Sequence, residues 1–161
     1  MLQITRLKKL LLIFIIASCF VSCNKIGVFE KTVMIPSRGW YYDNKPSFTF
    51  NITDTTATYI LYIVLRHTDS YNYNNLWLAV SLQAPGDTIR SQNININLGS
   101  DTKGWEGTGM DDIFEVRKNI TPIPFRKAGS YTFTIGQIMR ENPLLHILNI
   151  GIRVEKQVPE R

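Results

Sequence analysis

Alternation of apolar and polar residues dominates the chain from residue 47 onward. Ser47-Phe48-Thr49-Phe50-Asn51-Ile52 alternates with period two, the mark of a strand buried on one face, and Asp54-Thr55-Thr56 follows as a turn. Thr58 to Arg66 is β-branched and aromatic, and its run Tyr59-Ile60-Leu61-Tyr62-Ile63-Val64-Leu65 predicts a central strand buried on both faces. Leu76-Trp77-Leu78-Ala79-Val80-Ser81-Leu82 predicts another. Ala84-Pro85-Gly86-Asp87 predicts a turn, after which Ile89 to Leu98 alternates through Ile94, Ile96 and Leu98. Gly99 to Gly109 holds four glycines and no periodicity, so it predicts a loop needing positive φ or close backbone approach. Asp112 to Ile120 and Ile123 to Arg126 predict shorter strands. Lys127-Ala128-Gly129 then turns into a strand with Tyr131, Phe133 and Ile135 on one face. Gln137 to Asn142 predicts one helical turn, stopped before Pro143. Leu148 to Glu155 closes the domain with Leu148, Ile150, Ile152 and Val154 alternating. About eight or nine strands at roughly 8–12-residue spacing predict an all-β fold, a single antiparallel β-sandwich of immunoglobulin-like or jelly-roll-like form, over residues 31–161.

The N-terminus follows a different pattern. Residues 1–22 read as a secretory leader, with a basic segment ending in Lys8-Lys9 and then the apolar run Leu10 to Ile16. Even extended to Val21 the run is about 12 residues, short of the ~20 that a spanning helix needs. Both cysteines, Cys19 and Cys23, fall at the end of this leader, so the mature domain contains no intramolecular disulfide. Bacterial lipoprotein processing requires an apolar residue, one further residue, a small residue and then cysteine. Ile16-Ala17-Ser18-Cys19 fits, and Phe20-Val21-Ser22-Cys23 fits less closely. Cleavage at Cys19 would leave only about seven core apolar residues in the leader and would set Phe20 and Val21 directly after the lipid, whereas Cys23 is followed by polar Asn24-Lys25. Cys23 is therefore the expected lipidation site, residues 23–30 the expected acylated tether, and the membrane a partner through the N-terminal lipid.

Charge changes meaning once the leader is set aside. The chain has 161 residues and a formal net charge of +5, but Arg6, Lys8 and Lys9 belong to the leader. Without them 15 basic residues face 13 acids, a net of +2 with no lasting basic stripe, so nucleic acid is excluded as a partner. Candidate chemistry is sparse. His67 and His146 are isolated in sequence and lack zinc spacing, and no Gly-x-Ser-x-Gly elbow or phosphate-cradling glycine motif is present. An enzyme would need a cleft uniting His67 with Asp69 or Glu106. Asp111-Asp112 beside the glycine loop lacks a calcium-ligand pattern and reads as the start of a strand. The expectation is no catalytic residue, no metal and no cofactor. Aromatics in apparent loops carry the better binding signal: Trp40-Tyr41-Tyr42, Tyr71 and Tyr73 among asparagines, and Trp105. Such rings flanked by amides would contact a protein partner or stack on sugars; otherwise they cover the open ends of a sandwich. Asp54-Thr55-Thr56 and Asp87-Thr88-Ile89 resemble the O-glycosylation pattern of exported Bacteroidetes proteins.

Together these residues resemble the GldH family of gliding-motility lipoproteins over nearly the whole mature chain. The carriers are Trp40, then Tyr59 leading into Leu65-Arg66-His67, and Tyr71-Asn72-Tyr73-Asn74-Asn75-Leu76-Trp77-Leu78. Further on are Gly104-Trp105-Glu106-Gly107-Thr108-Gly109, Gln137-Ile138-Met139-Arg140 and Gly151-Ile152-Arg153-Val154-Glu155-Lys156. Two positions depart from the family pattern: Asn72, where proline is usual, and His146, where glycine is usual. The resemblance implies a non-catalytic membrane lipoprotein of the gliding and type IX secretion machinery, with other envelope proteins as partners. Relatives in organisms that do not glide leave the secretion link or another envelope role. Asn24-Lys25-Ile26-Gly27 lacks the acidic cluster that resembles a surface-export signal in this group, so the expected location is the outer membrane, facing the periplasm.

Overall fold

The apolar run from Tyr59 becomes the middle strand of the larger of two sheets. The structure is a computed structural model that describes residues 27–36, 39–123 and 125–157, and for residues 121–123 the backbone alone. Cys19, Cys23 and the leader lie outside the described residues. Thirteen strands are found among the described residues: β1 (Gly27–Met34), β2 (Gly39–Trp40), β3 (Ser47–Ile52), β4 (Tyr59–Thr68), β5 (Asn75–Gln83), β6 (Arg90–Asn97), β7 (Gly99–Ser100), β8 (Gly104–Trp105), β9 (Thr108–Met110), β10 (Ile113–Ile123), β11 (Gly129–Gln137), β12 (Leu144–Leu145) and β13 (Ile147–Lys156). The larger sheet runs β1-β13-β4-β10-β9 and the second β3-β11-β5-β6, with every pairing antiparallel. Two small ladders, β12-β2 and β7-β8, complete the fold.

Period-two patterning decides which side chains point inward. Leu61, Ile63 and Leu65 of β4 are fully buried, as are Ile150, Ile152 and Val154 of β13. Phe48, Phe50 and Ile52 of β3, Tyr131, Phe133 and Ile135 of β11, and Leu76, Leu78 and Val80 of β5 join them in one hydrophobic cluster. Each such side chain contributes about 1.5–3 kcal/mol by leaving water. The opposite face of β4 behaves differently. Val64 is buried between Arg117 and Gly151 in register, while Arg66 is exposed. Above that face Glu30, Arg153, Glu155, Arg117, Glu115 and Arg66 form a chain of ion pairs from β1 to β10. Exposed pairs of this kind contribute only about 0–1 kcal/mol each, so the inward cluster dominates the stability.

Several sequence expectations are corrected. The tally of eight or nine strands is exceeded, because four two-residue strands form ladders in segments too short to show a period. Residues 27–30, expected in the tether, are part of β1; that strand is mostly exposed and is held by backbone pairing with β13 rather than by burial. Ile113 to Ile123 is one strand, not two. Gln137 ends β11 instead of opening a helical turn. A bulge between Ile147 and Asn149 turns Ile147 into the core and leaves Leu148 half-buried.

The connections sort the domain into two ends. The β3–β4, β5–β6 and β10–β11 connections lie at the end where β1 begins, since Gly27 pairs with Glu155, and Lys156 pairs with Tyr59. Residues 35–46, 69–74, 98–112 and 138–146 link strands at the opposite end. His146 lies in that second group with a φ of 68°, the left-handed region in which a side chain costs about 1 kcal/mol or more. The family's usual glycine at this position has a physical reason. His146→Gly is expected to raise stability by about 0.5–1 kcal/mol, partly offset by loss of the 3.2 Å contact between His146 Nδ1 and Thr68 Oγ1. Urea unfolding of the two proteins measures it, and an unchanged or lowered midpoint would show that the strain is absent.

Candidate functional site

The end of the domain opposite Gly27 gathers the residues singled out in the sequence. Trp40 sits on β2, which β12 pairs through Leu144, and its ring is fully buried with Nε1 donating to the Asn44 carbonyl at 2.7 Å. Beneath it Gln137, itself buried, donates through Nε2 to the carbonyls of Trp40 and Glu141, both at 3.1 Å. Its Oε1 accepts from the Met139 amide at 2.8 Å. One amide side chain thus ties the Trp40 segment to the 138–142 loop. Tyr73, half-buried, donates to Glu141 at 2.8 Å, and that bond raises the phenol's pKa.

A second cluster surrounds His67, the last inward side chain of β4. Trp105 meets its ring edge-on at 4.6 Å, Phe114 stacks on it at 5.7 Å, and Tyr71 lies at 5.7 Å. The ring is fully buried, and its Nδ1 donates to the Thr68 carbonyl at 2.9 Å. Nε2 is consequently a bare acceptor, and it has no hydrogen-bond partner among the described residues. Burial lowers the imidazole's pKa, because withdrawal from water penalises the charged form more than the bond to the Thr68 carbonyl favours it. The carboxylates that would be needed beside it are engaged elsewhere: Asp69 accepts from Ser70, and Glu106 pairs with Lys118 and accepts from Asn97 at 2.6 Å. His67 is therefore a packed core residue and not a base in a cleft.

The glycine loop holds this cage closed. Gly107 has a φ of +98°, and a Cβ there would fall 2.1 Å from the Glu115 carbonyl oxygen. No side chain fits, so β9 can fold back onto β10 and deliver Trp105 over His67. Asp111, at φ 54°, makes the tight turn from β9 to β10. That backbone role accounts for Asp111 without an ion.

Of the four expected contact aromatics, Trp40 and Tyr71 are buried, with Tyr71 only 4% exposed, and both belong to the hydrophobic cluster. Their exposure is corrected: short polar loops cannot cover an open sheet end, so the large rings turn inward to seal it. Tyr73 and Trp105 are half-buried and pack against the same cluster. A sugar platform made of Trp40, Tyr73 and Trp105 has no continuous exposed face. The exposed rings are others: Tyr41 at 50%, Tyr42 at 40% and Trp77 at 43%. Tyr41 and Tyr42 stood in the quoted run with Trp40; Trp77 was hidden in an apolar run read as buried on both faces. At the Gly27 end, Asp54 accepts from Lys156 and Thr56, which hold its carboxyl well below the usual range, and Asp87 pairs with Lys127. Thr55 and Thr88 are exposed in those turns.

The site is thus an all-β loop end in which buried Gln137 ties two segments together and buried His67 packs within aromatic rings. The comparisons with known proteins give the family. The sequence model of the GldH lipoprotein family matches residues 27–154, and the chain belongs to that family. It is 29% identical to the "Gliding motility lipoprotein GldH homolog" of Christiangramia forsetii, over 85% of this chain and 88% of that protein. It is 26% identical to the "Gliding motility lipoprotein GldH" of Flavobacterium johnsoniae, over 94% and 99% of the two. Among solved structures, it is 16% identical to a chain of the infectious bursal disease virus VP2 subviral particle, covering 81% of this chain and 31% of that one, with a TM-score of 0.35.

The His67 cage yields a pH dependence with a defined sign. Its folded pKa lies below the ordinary 6.5, so neutral His67 contributes stability that is fully present above pH 6.5 and is lost as pH falls through the depressed folded value. The unfolding midpoint should fall on acidification from pH 7 to 5, a window above the ordinary carboxylate range. The fall should disappear in His67→Phe. A wild-type midpoint that stays flat across this window would contradict the assignment.

Proposed function

We propose that this chain is an acylated, non-catalytic lipoprotein whose β-sandwich docks onto other envelope proteins of a gliding-motility or type IX secretion machine. The observation that carries the reading is the match of residues 27–154 to the GldH lipoprotein family. The names of the two relatives, both gliding-motility lipoproteins, support the process. The shared hydrophobic cluster of the two larger sheets supports the sandwich.

Geometry supports an orientation. If Cys23 carries the lipid, three residues separate it from Gly27, and the four Cα steps reach at most about 14 Å. The Gly27 end then faces the membrane, and the end bearing Tyr41, Tyr42, Tyr73 and Trp105 faces away, over the buried Trp40 and Tyr71. That distal end is the docking surface in this reading. The outer membrane, with the domain in the periplasm, remains the proposed location. Neutral glycan binding by Trp40, Tyr73 and Trp105 is set aside, because their packing leaves no platform.

Two experiments test the reading. Cys23→Ser should abolish incorporation of labelled fatty acid, whereas Cys19→Ser should leave it intact; label that survives the Cys23 change refutes that site. A clean deletion in the host should abolish spreading on agar, or adhesin export in a host that does not glide. Normal spreading and export would sink the functional reading.

A further inference from the structure

The two outward sheet faces differ in charge. The outer face of the β1-β13-β4-β10-β9 sheet carries the ion-pair chain from Glu30 to Glu115. The outward positions of β3, β11, β5 and β6 carry no charged residue at all. They are serines, threonines and asparagines, with one glutamine, one alanine, one glycine and Trp77. Exposed protein surface is ordinarily about a quarter to a third Lys, Arg, Glu and Asp, so a whole neutral sheet face is a departure. Charged side chains border it: Lys45, whose stem lies along Gly136, Arg140 beside the groove, and Glu106, which accepts from Asn97.

The face is built for hydrogen bonding. Ser47 pairs with Thr134 at 2.6 Å and Thr49 with Thr132 at 3.2 Å, a hydroxyl ladder between β3 and β11. Asn75 donates to Asn95 Oδ1 at 2.9 Å across β5 and β6, which leaves the Asn75 side-chain oxygen and both Asn95 Nδ2 hydrogens without a partner among the described residues. At one end Trp77 is 43% exposed beside Ile138 at 40%. A groove of about 500 Å³ opens there, lined by Tyr73, Asn75, Trp77, Ile138, Met139 and Arg140. The backbone under the indole is fixed: the Trp77 carbonyl accepts from the Ile138 amide at 3.0 Å.

Charge complementarity selects the occupant. A face without charge offers nothing to steer or pair an ionic partner. Tyr73, Met139 and Arg140 stand beside the indole at the groove, but the rows beyond it are hydroxyls and amides, and protein interfaces are depleted in Ser and Ala. We propose that this face binds an uncharged polysaccharide chain, with Trp77 stacking on a sugar ring and the Asn and Thr rows hydrogen-bonding its hydroxyls. The groove shares Tyr73 and residues 138–140 with the distal end assigned to protein docking, but Trp77 and Asn93 lie on the sheet strands, so variants there test this site separately.

The test is retention of the full-length lipidated protein, in detergent, on insoluble cellulose, starch, mannan and β-1,3-glucan, with calcium alginate beads as the acidic comparator. Retention on at least one neutral polymer is expected, weakened about tenfold by Trp77→Ala. Asn93→Glu, an exposed change on β6, should weaken it as well by introducing charge. Neither position is in the core, so equal urea midpoints keep the comparison clean. Retention on alginate alone, on none of the polymers, or undiminished by both variants overturns the proposal. A dimer seen by sedimentation that Trp77→Ala dissociates also overturns it, since a second copy would then occupy the face.

Discussion

Burial of the inward row of β4 is the constraint on which the other elements depend. Leu61, Ile63 and Leu65 sit between β13 on one side and β10 on the other, and face the aromatic rows of β3 and β11. Each neighbour is fixed in register by its own apolar row, because a slip of one residue would turn that row out to water. The ion-pair chain on the outer face follows from this register. Arg66 meets Glu115, and Arg153 meets Glu30, only because β10, β4, β13 and β1 are already aligned. Surface pairs of this strength cannot impose such alignment. The last inward residue of β4, His67, carries the same constraint into the loop end, where three aromatic rings close over it.

From that arrangement comes a molecule with two unlike ends. Near Gly27 the links are short turns braced by exposed pairs, Asp54 with Lys156 and Asp87 with Lys127. At the far end the links are longer and are cross-tied by Gln137, Trp40, Tyr73 and Glu141. Ordering a loop costs about 1–2 kcal/mol per residue in backbone entropy. Loops held against that cost by buried amide and indole bonds present a defined surface rather than a mobile one. A chain tethered by its Gly27 end would expose that surface to neighbours.

The sequence made the long strands legible because their pattern reports burial directly: β3 and β11 alternate and bury what alternation says they should, as does β13 beyond its bulge, whereas the apolar run of β4, read as buried on both faces, leaves Ile60 and Tyr62 half-buried and Arg66 exposed. Where backbone pairing rather than burial makes the strand, the pattern is silent. β1 is an exposed edge strand, and the two-residue ladders are too short for any period. The aromatic signals located the loop end opposite Gly27 but misjudged which rings face water. Trp40 and Tyr71 are flanked by tyrosine, asparagine and turn-forming residues, a composition that resembles a loop, yet an open sheet end needs large rings as plugs. Trp77 failed in the opposite sense. An apolar run cannot reveal whether a second layer covers its other face, and on the outer face of β5 Trp77 is left 43% exposed.

The contrast between the outer faces follows from the same logic. On the larger sheet, the row through Val64 and Gly151 leaves a shallow floor over which Arg117 and Glu30 reach each other across two strands. Gly151 also brings β1 close: a Cβ there would fall 2.2 Å from the Lys31 carbonyl oxygen. Long charged side chains are therefore built into that face and satisfy one another. On the second sheet the outward residues are short, and hydroxyls and amides meet their cross-strand partners without reaching further. A self-paired charged face has little left to offer a ligand. A face of short polar groups keeps spare donors and acceptors pointing to solvent, and its one indole supplies the apolar area that hydrogen bonds to water-competed groups lack. The second face is thus the one whose chemistry remains open to a ligand.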